Sequence, residues 1–210
     1  MSNNYFLTVM SAFLLPSVAL CQLGAPGGEW PTYGGDLGHT RYSALDQIDS
    51  SNFSELEVAW TFDAANFGPS PEYRYQSTPL MINGRVFTTA GSRRAVVSLD
   101  AKTGEILWMH SLDEGERGEY APRQLSGRGL AYWVSEDGSE ERVIYVTPGY
   151  RMMALDAVTG NPVASFGDNG IVDLKQDADQ QIDLITGEIG LHSTPIVAKD
   201  VVIVGAAHRT

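Results

Sequence analysis

Cysteine is almost absent from this chain of 210 residues, which contains a single one, Cys21. A disulfide needs two cysteines, and a structural zinc site needs several cysteine or histidine ligands. The sequence therefore excludes an internal disulfide framework and a cysteine-based metal centre. The length is sufficient for one domain with a sizeable packed core.

Positive charge is also scarce. Lys and Arg number 14 against 26 Asp and Glu, which gives a formal net charge of −12. Proteins that bind nucleic acid need a basic face for the phosphates. The charge balance therefore argues against nucleic acid as a partner.

Long hydrophobic runs are missing apart from Tyr5–Leu20 near the amino terminus. This run is short for a membrane span, and Ser17–Ala19 fits a small-x-small cleavage site. We therefore predict a signal peptide over residues 1–21 and a periplasmic or exported protein, with membrane association left open. A retained anchor is the alternative, because no Lys or Arg precedes the run. Leu20 is too large for a good lipoprotein signal at Cys21.

The clearest pattern in the chain is Val97–Trp108, in which two short apolar runs flank a polar turn. It predicts an antiparallel hairpin, because Asp100 can accept hydrogen bonds from turn amides and Gly104 can adopt a positive φ. Leu-Asp-Ala and Thr-Gly recur 56 residues later, within Ala154–Gly160. A repeat of this length predicts a supersecondary unit that is used more than once.

Further short strands surround both copies of this turn. The first unit is predicted to contain four strands, at Ser77–Ile82, Arg85–Ala90, Val96–Leu99 and Glu105–Trp108. The second and third units are predicted from Gly129–Trp133, Val143–Thr147, Met152–Leu155, Ser193–Val197 and Val201–Val204. Alternation of apolar and polar residues in Leu56–Phe62 predicts one more strand, in a neighbouring sheet.

These strands predict an all-β fold, namely a partial β-propeller of about two and a half four-stranded blades over residues 22–210. A closed propeller usually has at least four blades, and an open one exposes apolar faces. We therefore expect the chain to be the N-terminal part of a longer protein. Leu99, Trp60, Trp108 and Leu155 are predicted to lie in the core.

The turn motif resembles that of the quinoprotein dehydrogenases, which use pyrroloquinoline quinone (PQQ). Their motif is A-x-D-x-x-T-G-x-x-x-W; the first copy here is Ser98–Trp108, and the second, Ala154–Ala164, ends in alanine instead of tryptophan. Three further stretches resemble this family in the family's order: Trp30–Asp36 with Thr40–Ser43, Arg128–Trp133, and Phe166–Gly170 with Val172–Leu174.

The resemblance implies an eight-bladed propeller with PQQ and calcium at its axis. It also implies hydride transfer from an alcohol, sugar or polyol hydroxyl to the quinone, with a cytochrome or quinone as electron acceptor. The family's catalytic aspartate and one of its calcium ligands would lie beyond Thr210. Its other calcium ligand, in a Ser-Gly-Ala-Glu run, aligns with Ala207–Thr210, which has no carboxylate, so either the loop differs here or this ligand also lies past the end. We therefore assign no catalytic residue and no metal ligand within the chain.

Three residues are candidates for cofactor binding by this resemblance. Arg128 occupies the position of a family arginine whose forked cation suits carboxylates and quinone oxygens. Gln76 precedes the first strand, where family members often carry glutamate. His192 holds the corresponding place in the third unit. The alternatives are a surface arginine, an ordinary polar strand end and a structural histidine; structural roles are also favoured for His110 and His208.

Two other functions compete with this interpretation. A non-catalytic propeller scaffold of the outer-membrane assembly type would share the blade repeat, and a lectin-like propeller has no specific signal. Trp30–Ser43 and Arg128–Trp133 favour the enzyme. The adjacent cysteines of some alcohol-oxidising members are replaced by Pro122 and Arg123, which shifts the expectation towards sugars or polyols.

Overall fold

The computed structural model describes residues 24–176, 178 and 180–208. The predicted signal peptide at 1–21 lies outside the described residues. Within them the regular secondary structure is almost entirely β-strand, apart from a 3-10 turn at Phe53–Glu55 and a short helix, α1, at Glu116–Glu119. No helix in these ranges is long and apolar enough to cross a membrane.

Two four-stranded antiparallel sheets follow each other along the chain, and in each the strands are ordered as in the sequence. The first blade contains β1 (Leu80–Ile82), β2 (Arg85–Ala90), β3 (Ala95–Asp100) and β4 (Ile106–His110). The second contains β5 (Ala131–Val134), β6 (Glu141–Val146), β7 (Arg151–Asp156) and β8 (Ile171–Asp173). The predicted propeller blades are confirmed.

The third unit consists of two strand pairs. Its strands are β9 (Ile189–Gly190), β10 (Ile196–Ala198), β11 (Val201–Ile203) and β12 (Ala207–His208). β10 pairs with β11, and β12 pairs with β9, both antiparallel. The β10–β11 hairpin is the pair that the sequence predicts.

The core lies between the blades. Leu80, Phe87 and Val96 of the first blade pack against Tyr145 and Leu155 of the second in one buried cluster. A second cluster, containing Tyr150 and Leu191, joins the second blade to the third unit. Each blade therefore buries its apolar faces against its neighbours. Leu99 and Leu155 are buried as predicted, at 1% and 0% exposed.

In the first two blades the Thr-Gly turn is covered by a tryptophan from the preceding part of the chain. The indole nitrogen of Trp108 donates to the carbonyl of Ala157 over 3.1 Å, and that of Trp60 donates to Ala101 over 3.1 Å. The indole also lies where a side chain at Gly160 would be, since a Cβ there would be 2.6 Å from the ring. The repeated motif therefore docks one blade on the next.

We expect Gly160→Ala to destabilise the protein by about 1–3 kcal/mol more than Gly138→Ala, because the added methyl group overpacks the indole. Both glycines have left-handed φ values, 75° and 70°, so both variants carry the same backbone penalty. A Cβ at Gly138 meets nothing within 4 Å. Urea denaturation of the two variants measures the difference, and equal midpoints would contradict the docking role.

One prediction about strands is wrong. Leu56–Phe62 forms no strand in the described chain, because alternation alone does not provide a neighbour to complete the hydrogen-bond ladder. Trp60 nevertheless packs, partly buried, against the core of the first blade. The fourth strand of the second blade is β8, and Ala164 is exposed in the irregular segment before it.

Candidate functional site

The three candidate residues lie at one end of the blades. Gln76 precedes β1, Arg128 precedes β5 and His192 precedes β10. β1 and β5 are the first strands of their blades, and β10 is the first strand of the β10–β11 hairpin, so the three residues hold corresponding places in successive units. The amide of Thr78 donates to the carbonyl of Arg128 over 3.0 Å, which joins two of these segments directly.

Gln76 and His192 touch although they are far apart in the sequence. Nε2 of His192 and Oε1 of Gln76 are 2.8 Å apart. Because an amide oxygen only accepts, the ring donates from Nε2 in this arrangement. Nδ1 of His192 is buried and has no hydrogen-bond partner among the described residues. An unpartnered buried nitrogen of this kind can form a hydrogen bond with a ligand or with a water molecule.

Arginines surround this histidine. Burial lowers the pKa of His192 below its ordinary value of 6.5, and the charges of four arginines lower it further: Arg94, Arg128, Arg123 and Arg74. The histidine is therefore neutral at pH 7. In a protein with a net charge of −12, this cluster is a local region of positive potential.

A glycine permits the close approach of the three segments. Gly129 has a φ of 122°, and a Cβ there would lie 2.9 Å from the carbonyl oxygen of Thr78. The same Cβ would lie 3.4 Å from Cγ2 of Thr194. Because Gly129 has no side chain, the second blade can approach both of its neighbours closely at this end.

The charged segment before Arg128 is anchored more firmly than its composition indicates. Arg117 of α1 is 2% exposed and donates to both carboxylate oxygens of Asp173, at 2.7 and 2.6 Å. Glu114 accepts from Arg151, from the Thr147 hydroxyl and from a backbone amide. Because Arg117 and Glu114 are buried and paired, they tie this charged segment to the second blade.

Sequence reasoning missed Arg74, Arg94 and Arg123 as members of the site. They come from different segments, and no local pattern links them. The only signal is the pair Arg93-Arg94 in the turn between β2 and β3. The sequence does not show that Arg94 is the buried member of this pair.

The donor set fits an anionic ligand that carries carboxylates. Guanidinium groups donate to carboxylate oxygens, and His192 can do so from Nδ1 once the ring is protonated, since the Nε2 proton is already donated to Gln76. Within residues 24–176, 178 and 180–208 there is no group of three or more His, Cys, Asp and Glu that could hold a metal ion. Ala207 and His208, where the family's calcium run aligns, form β12.

Successive four-stranded antiparallel blades that pack against each other define the chain as part of a β-propeller. A family model for the β-propeller domain of PQQ-dependent glucose, ethanol and alcohol dehydrogenases matches residues 30–210, and the chain belongs to this family. The predicted resemblance is confirmed.

Its relatives include polyol and alcohol dehydrogenases. The chain is 27% identical over 199 residues to the glycerol dehydrogenase large subunit of Gluconobacter oxydans, covering 90% of this chain and 26% of that protein. It is 36% identical over 146 residues to the dehydrogenase subunit of the quinone alcohol dehydrogenase of the same organism, covering 68% of this chain and 17% of that protein.

A solved structure agrees with the fold. The quinohemoprotein alcohol dehydrogenase of Comamonas testosteroni superimposes with a TM-score of 0.64 at 26% identity, covering 86% of this chain and 23% of that one. The chain thus spans about a quarter of the length of this structure and of the glycerol dehydrogenase subunit.

Proposed function

We propose that the protein containing this chain is a PQQ-dependent oxidoreductase that removes hydride from a hydroxyl of a sugar, polyol or alcohol. The observation that carries this proposal is the convergence of Gln76, Arg128 and His192 within a cluster of arginines. A site of this kind suits a flat cofactor with several carboxylates. The named activities of the relatives support the same class of substrate.

Each residue has a distinct part in holding the cofactor. PQQ supplies the two-electron acceptor, and this chain supplies its cradle. Arg128 is exposed, so its planar fork is free to bind a carboxylate. The Gln76–His192 hydrogen bond ties the first and third units together and fixes the imidazole plane. The other arginines provide positive potential that attracts an anion.

The described residues contribute binding rather than proton transfer. The carboxylates nearest the cluster are engaged in structural hydrogen bonds: Glu72 accepts from the amides of Arg74 and Ser126, and Glu114 accepts from Arg151 and Thr147. We therefore expect no turnover from residues 1–210 alone. The same proposal includes calcium as a second cofactor, a cytochrome or quinone as the electron acceptor, and export of the protein to the periplasm.

The test uses the protein expressed from its complete reading frame. PQQ binding is followed by fluorescence quenching, and dye reduction is followed with glycerol, glucose and ethanol, each with and without calcium. Saturable PQQ binding and PQQ-dependent dye reduction with at least one substrate are expected. Binding without reduction would overturn the oxidoreductase proposal, and absence of both would favour a non-catalytic scaffold. Fractionation of the cells that express it tests the periplasmic location.

Binding of PQQ is expected to take up about one proton at His192. The histidine is neutral at pH 7 in the free protein because burial and the arginines lower its pKa. Bound carboxylates oppose these positive charges and raise that pKa, so protonation accompanies binding and the affinity rises as the pH falls from about 7 to about 5.

Calorimetry in two buffers of different ionisation enthalpy measures this uptake. His192→Gln should abolish it. His110→Gln is the matched control, because the pKa of His110 is lowered by burial alone, with no arginine contributing. Equal proton uptake in the His192→Gln variant and the unaltered protein would contradict this prediction.

A further inference from the structure

Arg94 is a buried cation that lies behind the site. It is 3% exposed, and no Asp or Glu within the described ranges forms a salt bridge with it. Burial lowers the pKa of Arg94 to about 10, so the guanidinium remains charged at neutral pH. A buried charge is costly unless its hydrogen bonds are satisfied. The hydrogen-bond partners of the Arg94 guanidinium therefore indicate its role.

Its four hydrogen bonds go to carbonyl oxygens in three separate segments. Nε donates to Leu125 over 3.1 Å and Nη2 donates to Arg123 over 2.8 Å, both in the segment that leads to Arg128. Nη1 donates to Val146 at the end of β6 over 2.8 Å and to Leu191 over 2.9 Å. Leu191 is the residue directly before His192.

Two further features show that the surrounding chain is shaped to this guanidinium. A Cβ on Gly127, the residue before Arg128, would lie 2.9 Å from Nε of Arg94, so no larger residue fits without moving the guanidinium. Arg94 itself has a φ of 53°, a left-handed conformation that is uncommon and costly for a residue other than glycine. The strained backbone aims the side chain into the space between the segments.

We propose that Arg94 is the positioning residue of the candidate site: its guanidinium fixes Arg128 and His192 relative to each other by holding the carbonyl group before His192 and two carbonyl groups in the segment that leads to Arg128. It does not itself need to touch the ligand. The identity of the ligand rests on the proposed function, whereas the positioning role concerns the unliganded protein as well. A planar fork with five donors can serve four carbonyls in fixed directions, which a lysine cannot do.

The experiment compares Arg94→Met and Arg94→Lys with Arg93→Met, in the protein from the complete reading frame. Arg93 is the matched control, because it is the neighbouring arginine and is 41% exposed in a surface ion pair with Asp113. Amide exchange by mass spectrometry, without PQQ, is measured for peptides that cover 123–129 and 190–194. We expect exchange roughly tenfold faster or more in both peptides for Arg94→Met, with the rest of the second blade unchanged.

A second readout is the titration of His192, followed by imidazole proton resonances. Removal of the Arg94 charge should raise the pKa of His192, and Arg94→Lys, which keeps the charge, should not. PQQ affinity should fall about tenfold or more in Arg94→Met and less in Arg94→Lys, because the lysine retains part of the hydrogen bonding. Arg93→Met should match the unaltered protein in every measurement.

The outcomes separate this inference from the proposed function. If the unaltered protein binds no PQQ, the proposed function fails, and exchange and titration still decide the role of Arg94. Unchanged exchange at 123–129 and 190–194 would overturn the inference, as would exchange that accelerates uniformly over all blades. If Arg94→Met does not fold, Gly127→Ala provides the same test, since it displaces the guanidinium but keeps its charge and should loosen both peptides.

Discussion

Replacement of Arg117 by methionine is expected to lower the free energy of unfolding by about 3–5 kcal/mol, because it breaks a buried ion pair from one side. Arg117 is 2% exposed, and its partner Asp173 is 17% exposed. Methionine fills much of the volume but removes the side-chain donor of the Asp173 carboxylate, which keeps only the amide of Lys175, and the donor to the carbonyl of Gly149. The lost interactions join α1 to β8 and to the turn between β6 and β7.

The control for this prediction is Arg93→Met, which removes an arginine of an exposed ion pair. That variant should cost about 1 kcal/mol or less, since pairs of this kind are screened by water. Urea denaturation at pH 7 measures both variants. Equal midpoints for Arg117→Met and Arg93→Met would show that the buried pair does not hold the segment before Arg128.

The same pair predicts a dependence on pH. Burial alone would raise the pKa of Asp173, but the hydrogen bonds and charge of Arg117 lower it overall from the ordinary value of 3.8. A carboxyl with a lowered pKa stabilises the folded state above its unfolded pKa, and this contribution is lost as the pH falls through the folded pKa. Arg117→Met should therefore lose less stability below about pH 4 than the unaltered protein does.

The parts of the fold that could be predicted from the sequence are those with local causes. The turn at Asp100 depends on bonds within a few residues: Oδ1 of Asp100 accepts from the amides of Lys102 and Thr103, at 2.9 and 2.8 Å. The turn at Asp156 repeats this arrangement with Val158 and Thr159. A short motif is sufficient to specify such a structure, so the repeat and the blades followed from it.

A third turn of the same kind shows the limit of this reasoning. Asp183 accepts from the amides of Ile185 and Thr186, at 2.9 and 2.7 Å, as the other two aspartates do. Gly187 follows but does not have a positive φ, and a Cβ there would meet Asp183 and Ile182 rather than an indole. The turn chemistry is local, whereas its use as a docking surface depends on the tryptophan that reaches it.

The candidate site could be predicted only in part. Motifs and positions before predicted strands make Arg128 and His192 candidates from the sequence alone. Arg94 and Arg117 have no such signal, because their partners lie tens of residues away and consist largely of carbonyl oxygens, which every residue has. Composition identifies such residues as surface cations, and only the packed chain shows that they are buried.

Arg128→Ala is expected to weaken PQQ binding about 10- to 100-fold, the effect of losing one or two charge-assisted hydrogen bonds. The amide of Thr78 donates a hydrogen bond to the backbone carbonyl of Arg128, and truncation of the side chain does not remove this bond. The variant therefore tests the side chain alone. The side chain is exposed in the free protein, so its loss should change the melting temperature little. Arg128→Lys should bind with intermediate affinity, since it keeps the charge but not the fork.

Fluorescence titration of the complete protein measures these affinities, with Arg93→Ala as the control that removes the same charge from a surface ion pair. If the attraction were only a general effect of net charge, Arg128→Ala and Arg93→Ala would lose affinity equally, and added salt would weaken both alike. A specific bidentate contact predicts instead a loss confined to Arg128→Ala that persists at high salt. Unchanged affinity in Arg128→Ala would remove this arginine from the site and leave Gln76, His192 and the buried Arg94 to account for binding.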